Sequence, residues 1–142
     1  MSARSFLDTN IFIYSVDRID SRKAKIALRI IKEQAAAASG VISFQVVQEF
    51  FNVAFKRFPQ KMTVEDCRSY LDAVFRPFLR VHSAIPLYED ALRIRGRYQL
   101  SWYDSLIVAA AIEGSCTVLY SEDLQHGAKY GDVRVLNPFR AA

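Results

Sequence analysis

The apolar stretches of this chain are short and nearly continuous rather than alternating. Ser5-Phe6-Leu7, Val41-Ile42-Ser43, Leu79-Arg80-Val81, Cys116 to Tyr120 and Val133 to Leu136 each read as a brief strand bounded by polar residues. Strands buried on both faces have this appearance, because neither side chain set needs to meet water. Between them lie segments of helical period, and strands separated by helices join through right-handed crossovers into a mainly parallel sheet. The sequence therefore predicts an α/β chain: a three-layer α/β/α sandwich around a central sheet of about five short strands, in one domain spanning residues 1–142.

The helices have recognisable limits. Ser21 suits the cap of a helix running to about Ala38, with Ala24, Ala27, Leu28, Ile31 and Ala35 on one stripe and Ser39-Gly40 as the stop. A second runs from about Phe44 to Phe58, before Pro59. Thr63-Val64-Glu65-Asp66 forms a capping-box pattern that opens a helix closing before Pro77. Pro86 suits a first helical turn that Gly96 would end, and Ser101 opens a further helix through Glu113.

With 51% hydrophobic and 24% charged residues, the chain has enough apolar material for one sizeable core and is not a disordered sequence. Cys67 and Cys116 stand far apart in no metal-binding pattern and read as core fillers, which fits a reducing cytoplasm. Arg4 and Asp8 interrupt the first apolar stretch, so no export signal is expected, and the apolar run Leu106 to Ile112 is too short for a bilayer. A net charge of +4 favours an anionic partner, and Arg18, Arg22, Lys23, Lys25, Arg29 and Lys32 crowd one region with Asp20 as its only acid. A solvated helix face is the preferred explanation of that crowding on its own.

In an open parallel sheet ligands bind at the carboxyl ends of the strands, and the acids gather there. Asp8 ends the first strand, Glu49 lies in the helix after the second, Asp104 is in the first turn of the apolar helix, and Glu122-Asp123 follow Tyr120. Each has an ordinary structural use: Asp8 as a helix cap, Asp104 as partner of Ser101, Asp123 in a turn. Glu49 has the least, since Val46 and Val53 flank it on its helical row. Two like charges about 4 Å apart repel by ~4 kcal/mol at an effective dielectric near 20. A group of carboxylates with no Lys, Arg or His among its motifs must protonate or bind a cation, and all-oxygen ligands suit Mg²⁺ or Mn²⁺. Metal-assisted phosphodiester hydrolysis is the chemistry that uses such a site.

Asp8-Thr9-Asn10, Gln48-Glu49-Phe50, Trp102-Tyr103-Asp104-Ser105-Leu106 and Ser121-Glu122-Asp123-Leu124-Gln125-His126-Gly127 occur in the order and spacing of a PIN domain. The chain resembles that family over essentially its whole length, and within it the VapC-like toxins of bacterial toxin–antitoxin pairs. The resemblance implies that Asp8, Glu49, Asp104 and Asp123 hold one or two Mg²⁺ or Mn²⁺ ions, with Glu122 as a supplementary ligand. It implies endonucleolytic cutting of RNA to 5′-phosphate and 3′-hydroxyl ends, a homodimer and inhibition by a cognate antitoxin protein, with no organic cofactor and no membrane. Thr9, Asn10 and Ser121 become candidates for positioning water or ligands. Arg18, Arg22, Lys23, Lys25, Lys56, Arg57 and Lys129 become candidates for holding RNA, with Trp102 and Tyr103 placed to stack on a base.

Two other folds start with an acid after the first strand. A haloacid-dehalogenase-like phosphatase needs a second acid where this chain has Asn10. A receiver domain needs paired acids there and a late lysine. The alternative that the sequence leaves open is a non-catalytic nucleic-acid- or protein-binding module that retains an acidic metal pocket.

Overall fold

The computed structural model describes residues 3–140. In chain order its elements are β1 (Arg4–Leu7), α1 (Thr9–Asp17), α2 (Ser21–Ala37), β2 (Gly40–Ser43), α3 (Phe44–Lys56), α4 (Val64–Tyr70) continued by a π-helical turn (Leu71–Phe75), β3 (Leu79–Val81), α5 (Ile85–Tyr98), α6 (Trp102–Glu113), β4 (Cys116–Tyr120), β5 (Lys129–Tyr130) and β6 (Val133–Leu136). The sheet order is β3-β2-β1-β4-β6-β5, parallel throughout except for β5, which pairs antiparallel with β6. The sixth strand, beyond the expected five, is this two-residue β5. It exists because Gly131, at φ 60, turns the chain tightly back into β6.

From β1 the chain steps outward through β2 to β3, then returns across the sheet to β4. The order therefore reverses between β1 and β4, and a crevice opens there at the carboxyl ends of the strands. Right-handed crossovers require the connections α1–α4 and α5–α6, which travel in opposite directions, to cover opposite faces. The packing follows that rule: α1 lies against α2 and α3, while α5 pairs with α6 and α6 touches β2, β4 and β6. Between the sheet and α5, α6 is buried at every position from Ser105 to Ala111, which explains its unbroken apolar run.

On the other face the core is aromatic. Phe50 of α3 stacks on Tyr70 at 4.7 Å and meets Phe75 edge-on at 5.2 Å, and Phe75 meets Phe12 of α1 at 5.1 Å. Of the helix-face phenylalanines Phe44, Phe50, Phe51, Phe55 and Phe58, Phe50 and Phe58 are buried, whereas Phe55 is 43% exposed. Cys67 and Cys116 are buried free thiols, and burial pushes Cys116 up to about 12.

Three helix limits differ from the sequence reading. Asp20, not Ser21, caps α2, its carboxylate accepting from Lys23 N at 3.1 Å. Gly96 stays inside α5, which ends where Gln99 takes the left-handed conformation at φ 58. Gly40 is not a helix stop: Ala38 turns left-handed at φ 53, and Gly40 opens β2. The reason for glycine there is space, since a Cβ would lie 2.5 Å from Phe78 Cε1. Gly40→Ala is expected to cost about 1–3 kcal/mol by overpacking, read as a lower urea midpoint at unchanged slope.

Candidate active site

Asp8 sits where β1 ends and α1 begins. Its backbone N–H donates to Tyr120 O at 3.0 Å, so the adjacent strands β1 and β4 deliver Asp8 and Ser121 side by side. The carboxyl group is buried and fully engaged by neutral donors: Thr9 N donates to Oδ1 at 2.7 Å and Ser121 Oγ to Oδ2 at 2.8 Å. The capping role expected for Asp8 is therefore real and coexists with a place at the reversal point of the sheet.

Asp123 follows Ser121, whose Oγ accepts from Asp123 N at 3.2 Å and from Leu124 N at 3.4 Å, fixing the loop after β4. Asn10 Nδ2 donates to Asp123 Oδ2 at 3.3 Å. Glu49 projects from α3, and Thr9 Oγ1 donates to its Oε1 at 3.4 Å. Thr9, Asn10 and Ser121 thus each donate to a different carboxylate. Asp104 is held by its helix: Ser101 Oγ accepts from its backbone N–H at 3.2 Å. Its carboxylate does not return the bond, unlike Asp66, which completes a capping box with Thr63.

The electrostatics are those of a site short of positive charge. Burial pushes Asp8 up to about 7; hydrogen bonds from Ser121 and Thr9 oppose the rise, and the charges of Asp123 and Glu49 add to it. Glu49 is raised by partial burial against hydrogen bonds from Gln45 and Thr9, with Asp123 and Asp104 adding. Asp123 is raised by burial against the Asn10 bond, with Asp104 and Glu122 adding. Among the described residues, no Lys, Arg or His forms an ion pair with Asp8, Glu49, Asp104 or Asp123.

This donor set fits a hard divalent cation. It is all oxygen, it carries mutually repelling charge, and Asn10 Oδ1 is a buried acceptor with no partner beside it. Among the described residues, however, no three acidic, His or Cys side chains converge closely enough to grip one ion together. Mg²⁺ takes only one or two carboxylates directly and keeps several waters, so such a donor set need not converge on one point to hold it.

Glu122 does not belong with them. Lys23 Nζ lies 2.5 Å from its Oε2, and the Tyr14 hydroxyl donates to its Oε1, so both oxygens already have partners and its charge is compensated. This corrects the expectation of a supplementary ligand. The same contacts take Lys23 out of the set free to hold RNA: its ammonium also lies over the Tyr14 ring, 4.7 Å from the centroid. Arg22 donates to the carbonyls of Phe139 at 2.8 Å and Arg140 at 3.2 Å, anchoring the end of the described chain. Arg18, Lys25, Lys56, Arg57 and Lys129 remain exposed and outside the ion pairs of the described residues.

Trp102 is half-buried and stacks on Tyr88 at 6.3 Å, whereas Tyr103, beside Asp104, is 66% exposed. Two groups near the acids went unread in the sequence. Gln45, one helical turn before Glu49, lowers its proton affinity and donates to Tyr103 O at 3.3 Å; the i, i+4 spacing was the available signal. Tyr14, one turn after Asn10, gave no such signal, because its partner Glu122 is distant in sequence.

The PIN-domain sequence profile matches residues 5–131, from β1 to the turn before β6. The chain belongs to the PIN-domain family. Among curated proteins none matches the sequence significantly. Solved structures share the fold. A toxin–antitoxin complex from Klebsiella pneumoniae superposes with a TM-score of 0.69 at 18% identity, covering 96% of this PIN domain's chain and 99% of the other. VapBC2 from Rickettsia felis, bound to a DNA fragment from its promoter, gives 0.65 at 18% identity, covering 92% and 96%. VapC20 from Mycobacterium tuberculosis, described as a sarcin–ricin loop cleaving toxin, gives 0.61 at 19% identity, covering 84% and 89%. Among the described residues, no helix of this PIN domain is long and apolar enough to cross a membrane.

Proposed function

We propose that this PIN-domain protein is a Mg²⁺- or Mn²⁺-dependent endoribonuclease and the toxin of a toxin–antitoxin pair. The observation that carries the reading is that Asp8, Glu49, Asp104 and Asp123, from separate elements around the reversal point of the sheet, feel one another's charge, with neutral donors on Asp8, Glu49 and Asp123 and no ion pair to any of the four among the described residues. The structural likeness to toxins of such pairs, one of them named for cutting the sarcin–ricin loop, supports the substrate class and an antitoxin partner. A homodimer in the cytoplasm is part of the same reading.

Asp8, Asp104 and Asp123 hold the divalent ion, directly or through water. When bound, that ion supplies a water of lowered pKa and neutralises charge gathering on the phosphoryl oxygens. The rest is done by the chain. Ser121 and Thr9 fix Asp8 from two sides, and Asn10 fixes Asp123. Thr9 and Gln45 orient the Glu49 carboxylate, and its raised proton affinity suits it to take the proton of the attacking water. Water oxygen bonds to phosphorus, the bond from phosphorus to the 3′ oxygen breaks, and that oxygen leaves as the 3′-hydroxyl after gaining a proton. Exposed Tyr103 offers a face for an unpaired base next to Asp104.

The test is a total-RNA pool incubated with purified protein in Mg²⁺, Mn²⁺ or EDTA. Discrete fragments are expected with either ion, and EDTA is expected to remove them. Absence of cutting in every ion, by folded and antitoxin-free protein, would move the reading to a binding module that retains an acidic pocket.

A further inference from the structure

The C-terminal half of α5 carries a set of groups that the acidic site does not use. Arg93, Arg95 and Arg97 follow one another at alternate positions with no acid among them. Arg95 is turned away, donating to Leu100 O at 3.0 Å and bracing the short connection to α6. Arg93 and Arg97, one helical turn apart, share a face and line a groove of about 350 Å³ with Ile94, Tyr98, Ile112, Tyr130 and Gly131. That volume falls within the range of small-ligand sites, about 300–1,000 Å³.

The groove has an apolar floor and a cationic wall. Tyr130 is buried and supports Tyr98, which meets it edge-on at 4.9 Å and keeps 36% of its own surface exposed. The guanidinium of Arg97 lies 5.3 Å from the Tyr98 ring centroid. Arg93 pairs with exposed Asp90, and among the described residues Arg97 has no carboxylate partner. Exposed Lys129 and Arg134, paired across β5 and β6, add positive charge on the adjoining sheet edge. Tyr98 is the last residue of α5, and Ile112 and Gly131 carry the groove along the C-terminal end of α6 and the turn between β5 and β6. Burial raises the Tyr130 hydroxyl above its ordinary value, and the charge of Asp104 adds to the rise.

We propose that this groove binds one nucleotide of a single-stranded RNA away from the acids, its base against Tyr98 and its phosphate on Arg93 and Arg97. Guanidinium groups match phosphate geometry with paired hydrogen bonds, and an exposed aromatic face stacks on any base. An apolar partner helix would be poorly served by a wall of arginines. The inference rests on the ribonuclease reading for its substrate, but not for its measurement.

The probe is a fluorescein-labelled single-stranded RNA of twelve mixed-sequence nucleotides, followed by anisotropy in EDTA so that nothing is cut. Arg93→Ala/Arg97→Ala, and separately Tyr98→Ala, are expected to weaken binding about tenfold or more, and the double variant to lessen the salt dependence. Arg68→Ala/Arg76→Ala removes the same charge from paired, exposed arginines on the α4 side and is expected to bind nearly as wild type. In Mg²⁺ the groove variants should raise KM with little change in kcat, because none touches the acids. Unchanged affinity and salt slope in both groove variants, or equal loss in the Arg68/Arg76 control, overturns the groove. So does a change of oligomeric state, or lost binding of an acidic protein, with RNA affinity intact. A wild type that binds RNA through the groove but cuts none would instead overturn the ribonuclease reading alone.

Discussion

Asp8→Asn is expected to lower RNA cleavage by on the order of 10³-fold while leaving the protein folded. The argument begins with the bonds that Asp8 makes. Its Oδ1 accepts from Thr9 N and its Oδ2 from Ser121 Oγ. An asparagine keeps the first bond through its carbonyl and gives up the second, because Ser121 Oγ already accepts from Asp123 N and Leu124 N. Shape and capping survive, and the negative charge does not. Because the site lacks a matching cation, that charge is what a divalent ion would be held by. The measurement is a single-turnover cleavage rate beside a thermal melt; a variant that cuts within a few-fold of wild type would remove Asp8 from the site.

The second large effect is a loss of stability as pH rises in the absence of divalent ions. In the unfolded chain Asp8 titrates near its ordinary value of 3.8, and in the fold burial pushes it up to about 7. Below about pH 4 both states hold the proton, and the folded protein bears no cost from this group. Between the two values only the folded state keeps the proton. Above about 7 the folded carboxyl must ionise while buried, and up to about 4 kcal/mol of stability has been lost. Glu49 and Asp123 are raised as well and act in the same direction. In EDTA, wild type is therefore expected to melt about 10 °C lower at pH 8 than at pH 5 from this cause. Asp8→Asn should flatten much of that slope, and millimolar Mg²⁺ or Mn²⁺ should restore wild type at pH 8 by binding only the folded state. Parallel melting profiles for both proteins, unmoved by either ion, would show that the acids neither repel one another nor bind a cation.

The sandwich and its acids were readable because both rest on local signals. Continuous apolar runs report strands covered on two faces, and an acid at the end of such a run is placed by the strand itself, as Asp8 is; Asp104 is placed by the cap that opens its helix. Glu122 was misjudged because its neighbour in sequence, Asp123, faces the hollow while Glu122 turns to Lys23 and Tyr14, a choice made by α1 and α2 packing from far along the chain. The same packing drew Arg22 and Lys23 into the fold, although their sequence suggested a free basic face. The arginines of α5 were overlooked for the opposite reason. Glu89 and Asp90 precede them, so the helix reads as ordinary mixed surface until the fold brings Tyr130 and Ile112 up to Arg93 and Arg97. Gly96 and Gly40 show that a glycine reports a need for freedom or for space without saying which.

The bond from Ser121 Oγ to Asp8 spans 113 residues, and β1 gains its β4 neighbour over a similar separation. During synthesis at roughly 5–20 residues per second, Asp8 emerges early and waits several seconds for the strand that completes its surroundings. Until then the growing chain has one edge of β1 bare and its acids dispersed. The acidic centre is therefore assembled only as translation nears the end of this domain, and no such centre exists while its earlier strands are being made.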